Sequence, residues 1–84
     1  MGNPIMNVQT TDRLQDVFRV VFQLSAGTGV RDLPQQGSPK WDSLGHVFLV
    51  TAIESEFEVS LDAADQLRMT NYAETLALLE EKGL

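Results

Sequence analysis

Three stretches of this chain repeat their apolar residues every three or four positions, and no stretch alternates apolar with polar residues convincingly. The first period belongs to a helix with one buried stripe; the second would belong to a strand. The chain is therefore confined to packing helices on helices. Leu14, Val17, Phe18, Val21 and Phe22 form one stripe, Val47, Val50, Ile53 and Phe57 a second, and Tyr72, Leu76 and Leu79 a third.

Local signals bound these helices. Thr10 or Thr11 can cap the first, with Asp12 in its first turn, and Gly27 and Gly29 end it. The second begins at Asp42-Ser43 and runs to about Glu58. Asp62 caps a short helix ending near Leu67. Thr70 or Asn71 caps the last, Glu74 follows Asn71 at capping-box spacing, and Gly83 stops it. The expectation is an all-α bundle of four helices, three long and one short. Residues 1–9 read as a loose leader. Residues 27–41, with Gly27, Gly29, Pro34, Gly37 and Pro39, form a connection too long to hang free in a small domain. It should wrap the bundle, anchored by Val30, Leu33 and Trp41.

Size and composition narrow the function classes. The 84 residues make one domain, 1–84. No apolar run reaches the roughly 20 residues of a membrane span. The opening Met1-Gly2-Asn3-Pro4 lacks the basic flank and apolar run of a secretory signal, and Met6 stands where a myristoylation motif wants Ser or Thr. The expected location is cytoplasmic. The absence of cysteine excludes disulfides, thiolate metal sites and a cysteine nucleophile. One histidine is too few for a histidine-based zinc site, and the acids lack the order of a calcium loop. No metal site is expected, and the chain reads as a non-enzyme.

The net charge of −6 is uneven. Asp12, Asp16 and Asp32 are outnumbered by Arg13, Arg19, Arg31 and Lys40 in the first 40 residues. Beyond residue 40, nine acids face only Arg68 and Lys82. An acidic chain repels phosphate backbones, so nucleic acid is not an expected partner. Acidity of this kind steers toward basic protein surfaces, and equally keeps a small domain dissolved.

The most informative stretch is Trp41-Asp42-Ser43-Leu44-Gly45-His46. A serine opens an amphipathic helix directly after a long loop, where backbone N–H groups favour a nearby phosphate. Asp42 adds a carboxylate for capping or metal binding. Asp-Ser before a helix is also an ordinary capping signal. His46, one turn later, either packs like most lone helix histidines or lies near a phosphate on Ser43. A serine–histidine hydrolase would need an oriented base and an oxyanion site, which the sequence does not supply.

The triplet Asp42-Ser43-Leu44, the apolar helix leading into Ile53-Glu54-Ser55-Glu56-Phe57, the following Val59-Ser60-Leu61 and the order of helices resemble the acyl carrier proteins of fatty-acid, polyketide and related pathways. The likeness covers about residues 10–82. It implies that Ser43 receives a 4′-phosphopantetheine arm from coenzyme A, attached by a separate phosphopantetheinyl transferase using Mg²⁺, with Asp42 helping to position metal or transferase. The arm's thiol would hold an acyl group as a thioester, for delivery to an acyl-loading enzyme, synthase or acyltransferase. Carriers of this type are usually monomers and catalyse nothing themselves.

Many fatty-acid carriers place acids along the outer face of the serine helix. Here Leu44, Phe48, Thr51 and Ser55 share that face, opposite Val50 and Ile53, and include no acid. They form the expected partner surface, flanked by Glu54, Glu56 and Glu58, with Phe48 as an aromatic anchor. The departure implies a more apolar, less salt-sensitive partner surface, and Trp41-Asp42-Ser43-Leu44-Gly45-His46 also resembles specialised, free-standing carriers of secondary or envelope-related pathways. Val47, Val50, Ile53, Leu61, Tyr72 and Leu76 are expected to line a core that opens for the carried chain, besides being ordinary core. Two rivals stay open: an aminoacyl or peptidyl carrier, and an unmodified helical adaptor in which Ser43 is only a cap.

Overall fold

The computed structural model describes residues 8–84. Four helices follow in order: α1 Val8–Val21, α2 Ser43–Phe57, α3 Ala63–Arg68 and α4 Tyr72–Glu81. A single 3₁₀ turn, Val30–Asp32, interrupts the connection between α1 and α2. No strand occurs among the described residues. The bundle of three longer helices and one short one is thus as the periodicity demands.

The core gathers around Phe18. Its ring meets Phe22, Trp41 and Tyr72 edge-on, at centroid separations of 5.7, 5.5 and 5.5 Å. Each such pair adds about 0.5–1.5 kcal/mol beyond the area it buries. Leu14, Leu49, Ile53, Met69, Leu78 and Leu79 complete the centre, all essentially inaccessible. Tyr72 donates its hydroxyl to the Thr11 carbonyl and accepts from Gln15 Nε2, both at 3.3 Å, which ties α4 to α1.

Both ends of α1 differ from the sequence reading. The helix begins at Val8, so Thr10 and Thr11 lie inside it, and Thr10 is buried. Residues 8 and 9 are helical rather than leader; the rest of the proposed leader lies outside the described residues. At the other end, Gln23 takes a left-handed conformation with φ 56°. The Leu24 N–H reaches back to the Arg19 carbonyl at 2.8 Å, closing the helix well before Gly27. Arg19 then donates to the Thr28 carbonyl through Nε (3.1 Å) and Nη2 (2.9 Å), folding the turn against the helix end. A non-glycine stop of this kind leaves little trace in sequence, because only tertiary contacts offset its strain.

The connection wraps the bundle as expected, but on two anchors instead of three. Leu33 and Trp41 are buried; Val30 is exposed in the 3₁₀ turn, whose residues all face out. The Gln36 N–H donates to the Thr70 carbonyl at 2.9 Å, pinning the connection to the junction of α3 and α4.

The later caps follow the sequence closely. Asp62 and Asp65 form a reciprocal capping box on α3, and Asn71 Oδ1 accepts the Glu74 N–H at 2.8 Å on α4. Helix α3 buries none of its own residues. It is held to α4 by two ion pairs, Arg68–Glu81 (2.6 Å) and Lys82–Asp65 (2.9 Å).

Candidate functional site

The junction between the connection and α2 is built from four consecutive devices. Asp42 is extended (φ −87°, ψ −171°), and its Oδ1 accepts the Gly45 N–H at 2.8 Å. Asp42 is therefore the N-cap, and Ser43 is the first helical residue. With its carboxylate so engaged, Asp42 fixes the direction in which Ser43 leaves the loop. Ser43 is exposed, and its hydroxyl makes no hydrogen bond to any of the described residues. It projects beside a helix N-terminus, where unsatisfied N–H groups favour negative charge.

Gly45 is a sequence feature without an obvious purpose until the packing is seen. A Cβ there would stand 3.0 Å from the Lys40 carbonyl oxygen, and 3.3 Å from both Asp42 Oδ1 and Phe22 Cε1. A side chain here would require one of these neighbours to give by a few tenths of an ångström, so glycine eases the close start of α2 against α1 and the connection.

His46 is packed, as a lone helix histidine usually is. Its Nδ1 accepts the Trp41 indole N–H at 2.9 Å, and its Nε2 lies 3.1 Å from the Gln66 carbonyl. The rings of Trp41 and His46 stack at 6.0 Å. The imidazole thus joins the connection, α2 and α3, and both its nitrogens are used away from Ser43. Nothing in the spacing of Trp41, His46 and Gln66 signals this bridge. It arises because the connection returns beneath the first turn of α2.

The rotation of α2 departs from the expected one. Leu49, Val50, Ile53 and Phe57 are buried, whereas Val47 is 57% exposed. The buried face is turned by roughly 40° from the stripe drawn through Val47, Val50, Ile53 and Phe57. Apolar residues surround this helix, so hydropathy alone does not orient it. The His46 bridge and the fit against α1 do. Of the residues expected to line an opening core, Val50, Ile53, Leu61 and Tyr72 are buried together, Leu76 packs half-buried against them, and Val47 faces out.

The turn leaves Leu44 (60% exposed) and Phe48 (54%) on the surface, with Thr51 and Ser55 exposed on the same side. An acid-free apolar surface therefore begins one residue from Ser43, and Val47 widens it. Two of the three acids expected to flank this surface are engaged elsewhere. Glu54 Oε2 accepts the Leu61 N–H at 2.9 Å, so its half-buried carboxylate holds the α2–α3 turn. Glu56 turns toward α1, where Arg13 Nε pairs with it at 2.8 Å, Arg13 Nη2 donates to its carbonyl, and the guanidinium lies 4.6 Å over the Phe57 ring. Glu58 is exposed, in the left-handed C-cap of α2 (φ 52°). A surface groove of about 410 Å³ runs between α1 and α2, lined by Val17, Val20, Val21 and Ala52, with Arg13 and Glu56 among its polar residues. Among the described residues no three His, Asp or Glu side chains converge as a metal site would require.

Compared with known proteins, the chain matches no family model, no curated protein and no solved structure.

Proposed function

We propose that the chain is an acyl carrier protein, modified on Ser43 with a 4′-phosphopantetheine arm and delivering acyl groups to partner enzymes. The observation that carries this reading is the exposed, unbonded Ser43 hydroxyl at the start of α2, presented by an Asp42 whose own carboxylate is engaged as the cap. A serine that served as the cap would hold its oxygen against the backbone. This one leaves it available to a modifying enzyme.

The residues around Ser43 suit a phosphodiester. The helix N-terminus supplies a favourable field for its charge, and Asp42 keeps the first turn rigid. The arm would supply the thiol that this cysteine-free chain lacks. Leu44 and Phe48, next to the attachment point, offer partner enzymes an apolar landing surface, of the kind whose aromatic members dominate binding energy. The acyl load is favoured over an aminoacyl one by the acidity of the chain, and a specialised pathway by its acid-free outer face.

Intact mass tests the proposal. After incubation with coenzyme A, Mg²⁺ and a broad-specificity phosphopantetheinyl transferase, the protein should gain one phosphopantetheine, and Ser43→Ala none. No gain on a folded protein would make it an unmodified adaptor that uses the same apolar surface.

A further inference from the structure

We propose that His46 is a protonation-sensitive latch, joining the α1–α2 connection, α2 and α3 only while its ring is neutral. The inference is independent of whether Ser43 carries an arm. An indole N–H can only donate and a carbonyl oxygen can only accept, so the two contacts assign the tautomer. Nδ1 is the bare nitrogen facing Trp41, and Nε2 carries the proton that faces Gln66. The neutral ring satisfies both partners. A second proton, on Nδ1, would set one N–H against another.

The cost of that clash cannot be shed to water, because Trp41 is completely buried. Its indole N–H would be left without an acceptor behind the first turn of α2. The effect should be felt most in α3, which buries no side chain of its own and reaches α2 through the Gln66 carbonyl.

The charged groups around the ring come from several elements. On α2, Asp42 lies one turn earlier, with its carboxylate on Gly45. From the connection, Lys40 sits beside Trp41 and turns its ammonium to the Phe22 carbonyl at 3.5 Å. On α3, Asp62 and Asp65 precede Gln66 and Arg68 follows it; α4 answers with Lys82 on Asp65 and Glu81 on Arg68. From α1 and the turn after it the junction receives the uncharged rings of Phe18 and Phe22, through Trp41. Whatever these groups contribute, no protonated ring can keep the Trp41 bond.

The chain has one tryptophan and one histidine, so the test is clean. Between pH 8 and 5, NMR of the unmodified protein should show the Trp41 indole N–H moving with the same midpoint as the His46 ring signals. Hydrogen-exchange protection in α3 should fall on the order of tenfold across that midpoint. The window lies above the range in which the α3–α4 carboxylates titrate. His46→Asn places an oxygen near the Nδ1 position that accepts at every pH. It should keep the indole bond, abolish the transition, and leave α3 weakly protected throughout. Three results would overturn the latch: a ring that titrates while the indole signal stays still, a ring that remains neutral down to pH 5, or the same transition in His46→Asn. Should that variant fail to fold, the agreement or disagreement of the two midpoints in the parent protein decides.

Discussion

A side chain at position 45 would crowd Lys40, Asp42 and Phe22 at once. The nearest obstacle is a backbone carbonyl, which cannot swing aside, followed by the capping carboxylate and an aromatic edge. Gly45→Ala should therefore destabilise the protein by about 1–3 kcal/mol in urea unfolding, despite the better helix propensity of alanine. Gly27→Ala is the control. Nothing lies within 4 Å of a Cβ there and its backbone is not left-handed, so the change should be neutral or stabilising by about 0.4–1 kcal/mol. The neighbouring pair divides in the same way. Asp42→Ala removes the cap and should cost about 1 kcal/mol. Ser43→Ala removes no bond and should stay within about 0.5 kcal/mol. A Ser43 variant that loses loading at unchanged stability would separate the chemical role of that residue from the structural role of its neighbour.

At the level of elements, α3 is the one most dependent on charge. The Lys82 ammonium holds the Asp65 carboxyl below its ordinary 3.8, and the Arg68 fork holds Glu81 below its ordinary 4.5. Both carboxyls are more acidic in the folded protein than in the unfolded chain. Their contribution is therefore complete above the ordinary values and is lost as pH falls through the lowered ones. Protection of α3 amides should accordingly show an acid-side decrease below about pH 4, which Glu81→Gln reduces. The Arg68–Glu81 pair is partly solvent-exposed and Lys82–Asp65 is more sheltered, so 0.5 M salt should weaken the Arg68–Glu81 tie of α3 before it affects the core. Tyr72 behaves oppositely: burial raises its hydroxyl above 10.0, so its contribution is present below that value and lost as pH rises through the raised one.

Taken whole, the molecule combines a net charge of −6 with an uncharged apolar surface beside Ser43. Most of its cations are already paired: Arg13 with Glu56, Arg19 with Asp16, Arg68 with Glu81 and Lys82 with Asp65. Long-range attraction can bring a basic partner near, but docking on Leu44 and Phe48 would be apolar. Under the carrier reading, Phe48→Ala should raise the KM for loading by the transferase roughly tenfold while leaving thermal stability unchanged. Raising salt from about 0.05 to 0.3 M should change that KM by less than about threefold. A collapse of loading at modest salt would show that charge dominates the contact instead.

The sequence by itself determined what depends on nearest neighbours along the chain. Helical period, the caps at Asp42, Asp62 and Asn71, and an exposed serine at the start of α2 are all local, so a few adjacent residues specify them. The outward placement of Leu44, Phe48, Thr51 and Ser55 was legible too, because it needed only the coarse side of the helix. Tertiary structure decided whatever depends on partners distant in the chain. It turned Val47 outward and Leu49 inward on a helix with apolar residues on nearly every side. It ended α1 at Val21, with Gln23 left-handed and Arg19 brought to Thr28, and engaged Glu54 with Leu61 and Glu56 with Arg13. It also made His46 the bond between three segments, since a ring with two nitrogens takes its role from what folding sets on either side of it.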